Sequence, residues 1–187
     1  MAKDARNVAM AMVAAGALLA APQVSAAADN EAPSVGTKTS DSHVRSSSPA
    51  IAAVIQQATE RSATFQRLVE TINASDSYVY VNEGECGHGV RACFVTVSKA
   101  GSNRFMFVKV DTRKADWDLM GSIGHELRHT IEVIGNPSVT SSTAMYFFYE
   151  QIGTHGTTGA HETQAATDAG NTVRSEVRKV NRQAKSE

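Results

Sequence analysis

A chain of 187 residues that is 42% hydrophobic and 20% charged, with a formal net charge of −1, holds enough apolar material for one globular domain. It lacks the cationic excess that binding to nucleic acid or to an anionic membrane surface requires, so no nucleic-acid partner and no polybasic anchor is expected.

Lys3 and Arg6 precede an apolar run from Val8 to Ala21, and Val24-Ser25-Ala26 follows with the small-x-small pattern of a cleavage site. Residues 1–26 are read as a secretory signal peptide, because a run of about 14 residues closed by Pro22 falls short of the roughly 20 that a membrane span needs. Cleavage takes Lys3, Arg6 and Asp4 from totals of 18 basic and 19 acidic residues, leaving 16 and 18, a charge of −2, and no stable membrane anchor. The mature chain is then exported, to a periplasm or to the medium. Residues 27–48 are rich in Ala, Ser, Thr, Asp and Pro without period, the pattern of a disordered leader. A single domain is expected over 49–183, with a tail at 184–187.

Ser48-Pro49 has the form of a helix start, serine as cap and proline at the first helical position. Ile51, Val54, Ile55 and Ala58, then Phe65, Leu68, Val69 and Ile72, recur at helical spacing. The offset at Arg61-Ser62 predicts either two short helices or one interrupted helix. Three β-rich runs follow, Tyr78–Val81, Cys93–Ser98 and Arg104–Val110, with Gly101-Ser102-Asn103 marking a hairpin between the last two. The expected fold is α+β: a small antiparallel sheet of three strands packed with helices, and a motif helix at its centre. Export places Cys86 and Cys93 in an oxidising compartment, where a loop containing Gly87 and Gly89 lets them pair as a disulfide. The rival is a metal cluster of Cys86, His88 and Cys93, three donors in one loop and an incomplete structural site.

The next helix, from Asp116 or Asp118 to Ile134, carries His125-Glu126-Leu127-Arg128-His129. Histidines at i and i+4 share one helix face, so both imidazoles can bind one Zn²⁺, and Glu126 beside the first can serve as the general base. Leu119, Met120, Ile123, Leu127, Ile131 and Ile134 fall on the opposite face. Gly135 and Pro137 end the helix, Gly135 being expected as a left-handed cap. A further helix over about Thr140–Ile152 contains Met145, Tyr146, Phe147, Phe148 and Tyr149, with Phe147 and Phe148 expected in the core. A glycine-rich loop then leads to a last helix, Ala160 to about Arg182.

A catalytic zinc takes three protein donors and keeps one position open. Candidates for the third are Glu162, His155, His161 and Asp168. Glu162 ranks first, because it falls on the same side of the expected last helix as Ala165, Ala166 and Gly170, small residues that permit close approach to the motif helix. The pattern is HExxH, 32 intervening residues, then Glu. His155 or Tyr149 is the candidate oxyanion donor.

HExxH followed by Glu162 resembles the zincin metallopeptidases of the gluzincin type. The stretch from Arg61-Ser62 to Asp76, the Ile123–His129 core and the Glu162-Thr163-Gln164-Ala165-Ala166 turn resemble a group of small exported bacterial HExxH proteins of unassigned function. The resemblance implies a minimal zincin-like domain over 49–183 with one Zn²⁺ per chain, held by His125, His129 and Glu162. It further implies a peptide or protein substrate that adds to a strand edge, the Arg104–Val110 run being the candidate. The family's usual Glu-x-x-x-Asp has Ala166 at its last position here, so a carboxylate orienting a zinc histidine must come from Asp168 or Glu132, or be absent. The alternative to a zinc-activated hydrolase is an exported binding or structural domain braced by zinc without turnover.

Overall fold

One serine decides the helical start of the domain. Ser62 closes α1 (Pro49–Arg61) by donating its N–H to the Ala58 carbonyl at 2.9 Å, and opens α2 (Ala63–Asn73) by accepting the Phe65 N–H on its Oγ at 3.0 Å. Two helices therefore stand where one interrupted helix was the alternative. The computed structural model describes residues 42–87, 89–113, 116–155 and 161–183; the expected signal peptide, the leader up to residue 41, His88 and the tail lie outside the described residues.

The sheet departs from the three antiparallel strands expected. It has four, β1 (Val44–Arg45), β2 (Ser77–Glu83), β3 (Ala92–Ala100) and β4 (Asn103–Val110), in the order β1-β2-β4-β3. β1 and β2 pair in parallel, β2 and β4 pair in parallel, and only β3 with β4 is antiparallel. The leader, expected to be structureless to Ser48, thus supplies an edge strand in which Val44 is buried. β4 is interior, so the edges belong to the two-residue β1 and to the long β3, and not to the Arg104–Val110 run. The cause is the path from β2 to β3, which crosses the end of β4: Gly84 donates its N–H to the Val110 carbonyl at 3.0 Å, and Asp111 donates to the Arg91 carbonyl at 2.8 Å. Cys86 and Cys93 staple this crossing as a disulfide, with Cα atoms 5.8 Å apart, which removes the metal-cluster reading of those cysteines. The hairpin turns at Gly101, whose φ of 60° is open to glycine at little cost.

Alternation along the strands sorts the two faces of the sheet. Val79, Val81, Met106, Val108 and Val110 are buried, while Tyr78 stacks on Phe105 and Tyr80 on Phe107 across the other face, at centroid distances of 5.7 and 5.5 Å. The buried face joins the core formed with Ile51, Phe65, Ile72, Leu119, Ile123 and Leu127.

The motif helix α3 (Trp117–Ile134) starts where Asp116 accepts the Asp118 and Leu119 N–H groups at 3.1 and 3.0 Å. Its end corrects the sequence reading. Gly135 has φ −64° and ψ −11°, right-handed, so it is no left-handed cap. Arg104, buried on β4, donates instead to the carbonyls of Val133 at 2.8 Å, Ile134 at 3.0 Å and Asn136 at 3.2 Å, and pairs with Asp76 at 3.0 Å. The guanidinium gives the Ile134 carbonyl its donor and adds a second one to Val133 and Asn136, which also accept the N–H groups of Asn136 and Val139.

After α4 (Ser142–Ile152), two short strands pair, β5 (Thr154–His155) and β6 (His161–Glu162), and α5 (Gln164–Gln183) closes the chain against α3. The helices touch closely. A Cβ on Gly170 would lie 3.0 Å from His125 Cβ and 3.1 Å from the Gly121 carbonyl, and one on Gly124 would lie 2.9 Å from Val173 Cγ2. Both faces of α3 are therefore covered, one by the core and the other by α5. Phe147 was expected in the core but is 59% exposed; Phe148 packs partly against the core, and Tyr149 is the ring that α4 buries.

Candidate metal centre

His125 and His129 project from α3 toward β6, and the three candidate donors converge. His125 Nε2 lies 3.1 Å from His129 Nε2 and 3.0 Å from Glu162 Oε2, and His129 Nε2 lies 3.9 Å from that same oxygen. One donor atom from each of His125, His129 and Glu162 falls within 4.8 Å of the others, a group that can hold a metal ion. Glu162 Oε2 faces both imidazoles. It is buried and has no hydrogen-bond partner among the described residues. A buried carboxylate oxygen grouped with two imidazole nitrogens suits a cation with nitrogen and oxygen ligands.

Glu162 differs from expectation in its element. It lies in β6, where Thr154 is its strand partner, and not in the first turn of the last helix. Thr163 follows it and accepts the Ala166 N–H on its hydroxyl at 3.1 Å, so α5 begins just after the ligand. Ala166 and Gly170 are buried on the side of α5 that meets α3, as the small-residue pattern predicts.

The other candidates face elsewhere. His161 turns its Nε2 to Glu150 Oε1 at 3.2 Å. Asp168 accepts from Gln164 Nε2 at 2.8 Å on the exposed side of α5. The side chain of His155 lies outside the described residues. Tyr149 lines the cavity beside the cluster, and its buried hydroxyl donates to the His129 carbonyl at 2.8 Å; burial raises the phenol above its usual range.

Glu126 stands beside the donors without joining them. Its Oε1 is 4.0 Å from His125 Nε2, and its Oε2 accepts the Phe94 N–H at 2.8 Å. Burial pushes this carboxyl up, against the opposing pull of the two histidines and of Phe94. Sequence reasoning missed Phe94 because the group in use is a backbone amide, and no residue type announces it. The amide is free for this contact because β3 is an edge strand with a bulge between Phe94 and Thr96. Comparisons with protein-family models, curated proteins and solved structures returned no match.

The charge balance of the cluster favours a cation. Burial lowers the His129 pKa, but the hydrogen bond to Glu132 and the nearby Glu162 carboxylate outweigh it and raise it to about 9, and the two histidines hold Glu162 down at about 2. A metal ion entering here would have to displace the His129 proton, so its binding would strengthen as pH rises toward 9. Beside the cluster lies a cavity of about 370 Å³ between β3 and α4, whose walls include Phe94, Val95, Met145 and Tyr146.

Proposed function

We propose that this chain is an exported zinc-dependent peptidase of the gluzincin type, with His125, His129 and Glu162 as metal ligands and Glu126 as general base. One observation carries the reading: three donors converge while Glu126, within 4.0 Å of His125 Nε2, keeps out of the ligand set and is anchored by Phe94. A Zn²⁺ held by His125, His129 and Glu162 would supply Lewis acidity at that point, polarising a carbonyl and acidifying water. Glu126 would take the proton of the attacking water on Oε1, the oxygen Phe94 leaves open, and return it to the leaving amine. The free edge of β3 takes the substrate backbone by strand addition, with the apolar cavity beside it receiving a side chain.

The non-catalytic zinc brace is the weaker reading. A closed structural site needs a fourth protein donor, and among the described residues the group has three, with His161 turned to Glu150. Export is supported by the Cys86–Cys93 disulfide, a bond typical of oxidising compartments.

Zinc titration of ligand variants tests the ligand set. Glu162→Ala is expected to weaken zinc binding by about a hundredfold or more, beyond the roughly 10–100-fold typical of groups that only orient a ligand. Asp168→Ala is expected to stay within about twofold, since its partner is Gln164. Equal losses in a chelator-competition assay would remove Glu162 from the site.

A further inference from the structure

Glu132 lies one helical turn beyond His129 and is nearly buried, its side chain 9% exposed. Each of its oxygens has a separate task. Oε2 faces His129 Nδ1 at 2.9 Å, while Oε1 accepts the Thr163 hydroxyl at 2.7 Å. Thr163 adjoins Glu162 in the chain, and its oxygen also receives the Ala166 N–H that starts α5. A single carboxylate is thus bonded to one histidine of the cluster and, through one hydroxyl, to the backbone segment presenting its carboxylate.

We propose that Glu132 is the positioning residue of the metal centre, setting two of its three donors together: His129 through Nδ1, and Glu162 through the Thr163 hydroxyl. The inference rests on the metal-site reading above. With Nδ1–H donated to Glu132, the ring of His129 is fixed in the tautomer whose Nε2 lone pair faces His125 and Glu162. The Thr163 bond spans from α3 to the β6–α5 junction, so the spacing between ligands 33 positions apart is held by a side chain on the motif helix itself. On α5 the corresponding space is closed: Ala166 is fully buried and carries no polar atom beyond its backbone. A helix-surface ion pair at i and i+3 would stabilise α3 alone and would have no need of Thr163.

The test measures zinc affinity by chelator competition, and the visible spectrum of the Co²⁺-loaded protein, for wild type, Glu132→Ala, Glu132→Gln, Thr163→Val, Thr163→Ser and the Glu132→Ala/Thr163→Val pair. Glu132→Ala is expected to weaken zinc by about 10–100-fold and to change the Co²⁺ bands, with Glu132→Gln, which keeps one acceptor, in between. Thr163→Val should lose about tenfold and Thr163→Ser, which keeps the hydroxyl, should restore it. The pair should lose no more than Glu132→Ala alone, because Thr163 acts through Glu132. Should Glu132→Ala fail to fold, the Val and Ser forms of residue 163 still decide the matter. Wild-type zinc binding with all variants within twofold overturns this inference and leaves the ligand set standing, as would additive losses in the pair. A wild type that binds no zinc overturns both.

Discussion

Glu126→Gln is expected to reduce peptide cleavage by roughly 10²–10⁴-fold, the range for losing a general acid–base group, while zinc content stays at the wild-type level. The two readouts separate because Glu126 is near the ligands but not among them, with Oε1 4.0 Å from His125 Nε2. Glutamine has nearly the same shape, and its amide oxygen can still accept the Phe94 N–H that Glu126 receives at 2.8 Å. It has no basic oxygen to take a proton. Turnover of a peptide library and metal content measured on the same preparations check this. Cleavage undiminished in Glu126→Gln would dismiss the assigned base, and zinc lost along with cleavage would mean that residue 126 is structural.

The second large effect is on stability. Arg104→Met should destabilise the fold by about 3 kcal/mol, read as a lowered urea midpoint at unchanged slope. The guanidinium is 4% exposed and serves three carbonyls at the end of α3, those of Val133, Ile134 and Asn136. Methionine fills much of the volume, and Val133 and Asn136 keep the N–H groups of Asn136 and Val139 at 3.0 and 3.1 Å, so the cost falls on the Ile134 carbonyl and on Asp76, both stripped of the guanidinium. Arg104→Lys should recover only a fraction, because one ammonium cannot reproduce a planar fork spread over several acceptors. A loss below about 1 kcal/mol for the Met form would show that water or a glycine turn caps the helix as well. Asp76 adds a pH signature. Burial alone would raise its pKa, but the hydrogen bonds from Arg104 and Ser77 outweigh it and hold it below 3.8. Stability from this carboxylate is therefore complete above that value and is lost as pH falls through the lower folded pKa, so Arg104→Met should flatten the acid limb of the stability curve.

Local chemistry was legible and long-range pairing was not. The Cys86–Cys93 pair and the turn at Gly101 act over a few residues, so composition and spacing foretold them, and Ser62 and Asp116 were narrowed to two alternatives each. Convergence of His125, His129 and Glu162 was also foretold, from ligand spacing and from small residues later in the chain. Strand order was hidden because a period of two reports which face a residue takes and says nothing about its neighbour. What inserted β4 between β2 and β3 is the crossing at Gly84 and Arg91, made of backbone bonds that any sequence could form. Gly135 misled for a related reason: its substitute, Arg104, lies 31 positions earlier. Phe147 misled because the run from Tyr146 to Tyr149 is aromatic at every position, so helical periodicity has no contrast from which to choose a face. Glu132 was named beside Asp168 as a possible orienting carboxylate, and only the fold distinguishes the one bonded to His129 from the one on the outer side of α5.

The insertion of β4 also bears on the order in which the chain assembles. β3 and β4 meet through a tight turn, Ala100 opposite Asn103, whereas Ser77 must find Arg104 27 positions away and Val44 must find Val79 35 positions away. Closing a loop costs more conformational entropy as it lengthens, so the hairpin can form early and then dock as a body beside β2. Arg104 travels on that hairpin, and α3 gains its C-terminal cap only when the hairpin is in place. Glu162 stands 33 positions beyond His129, so the cluster too depends on closing a long loop and is not a seed that one local element could supply.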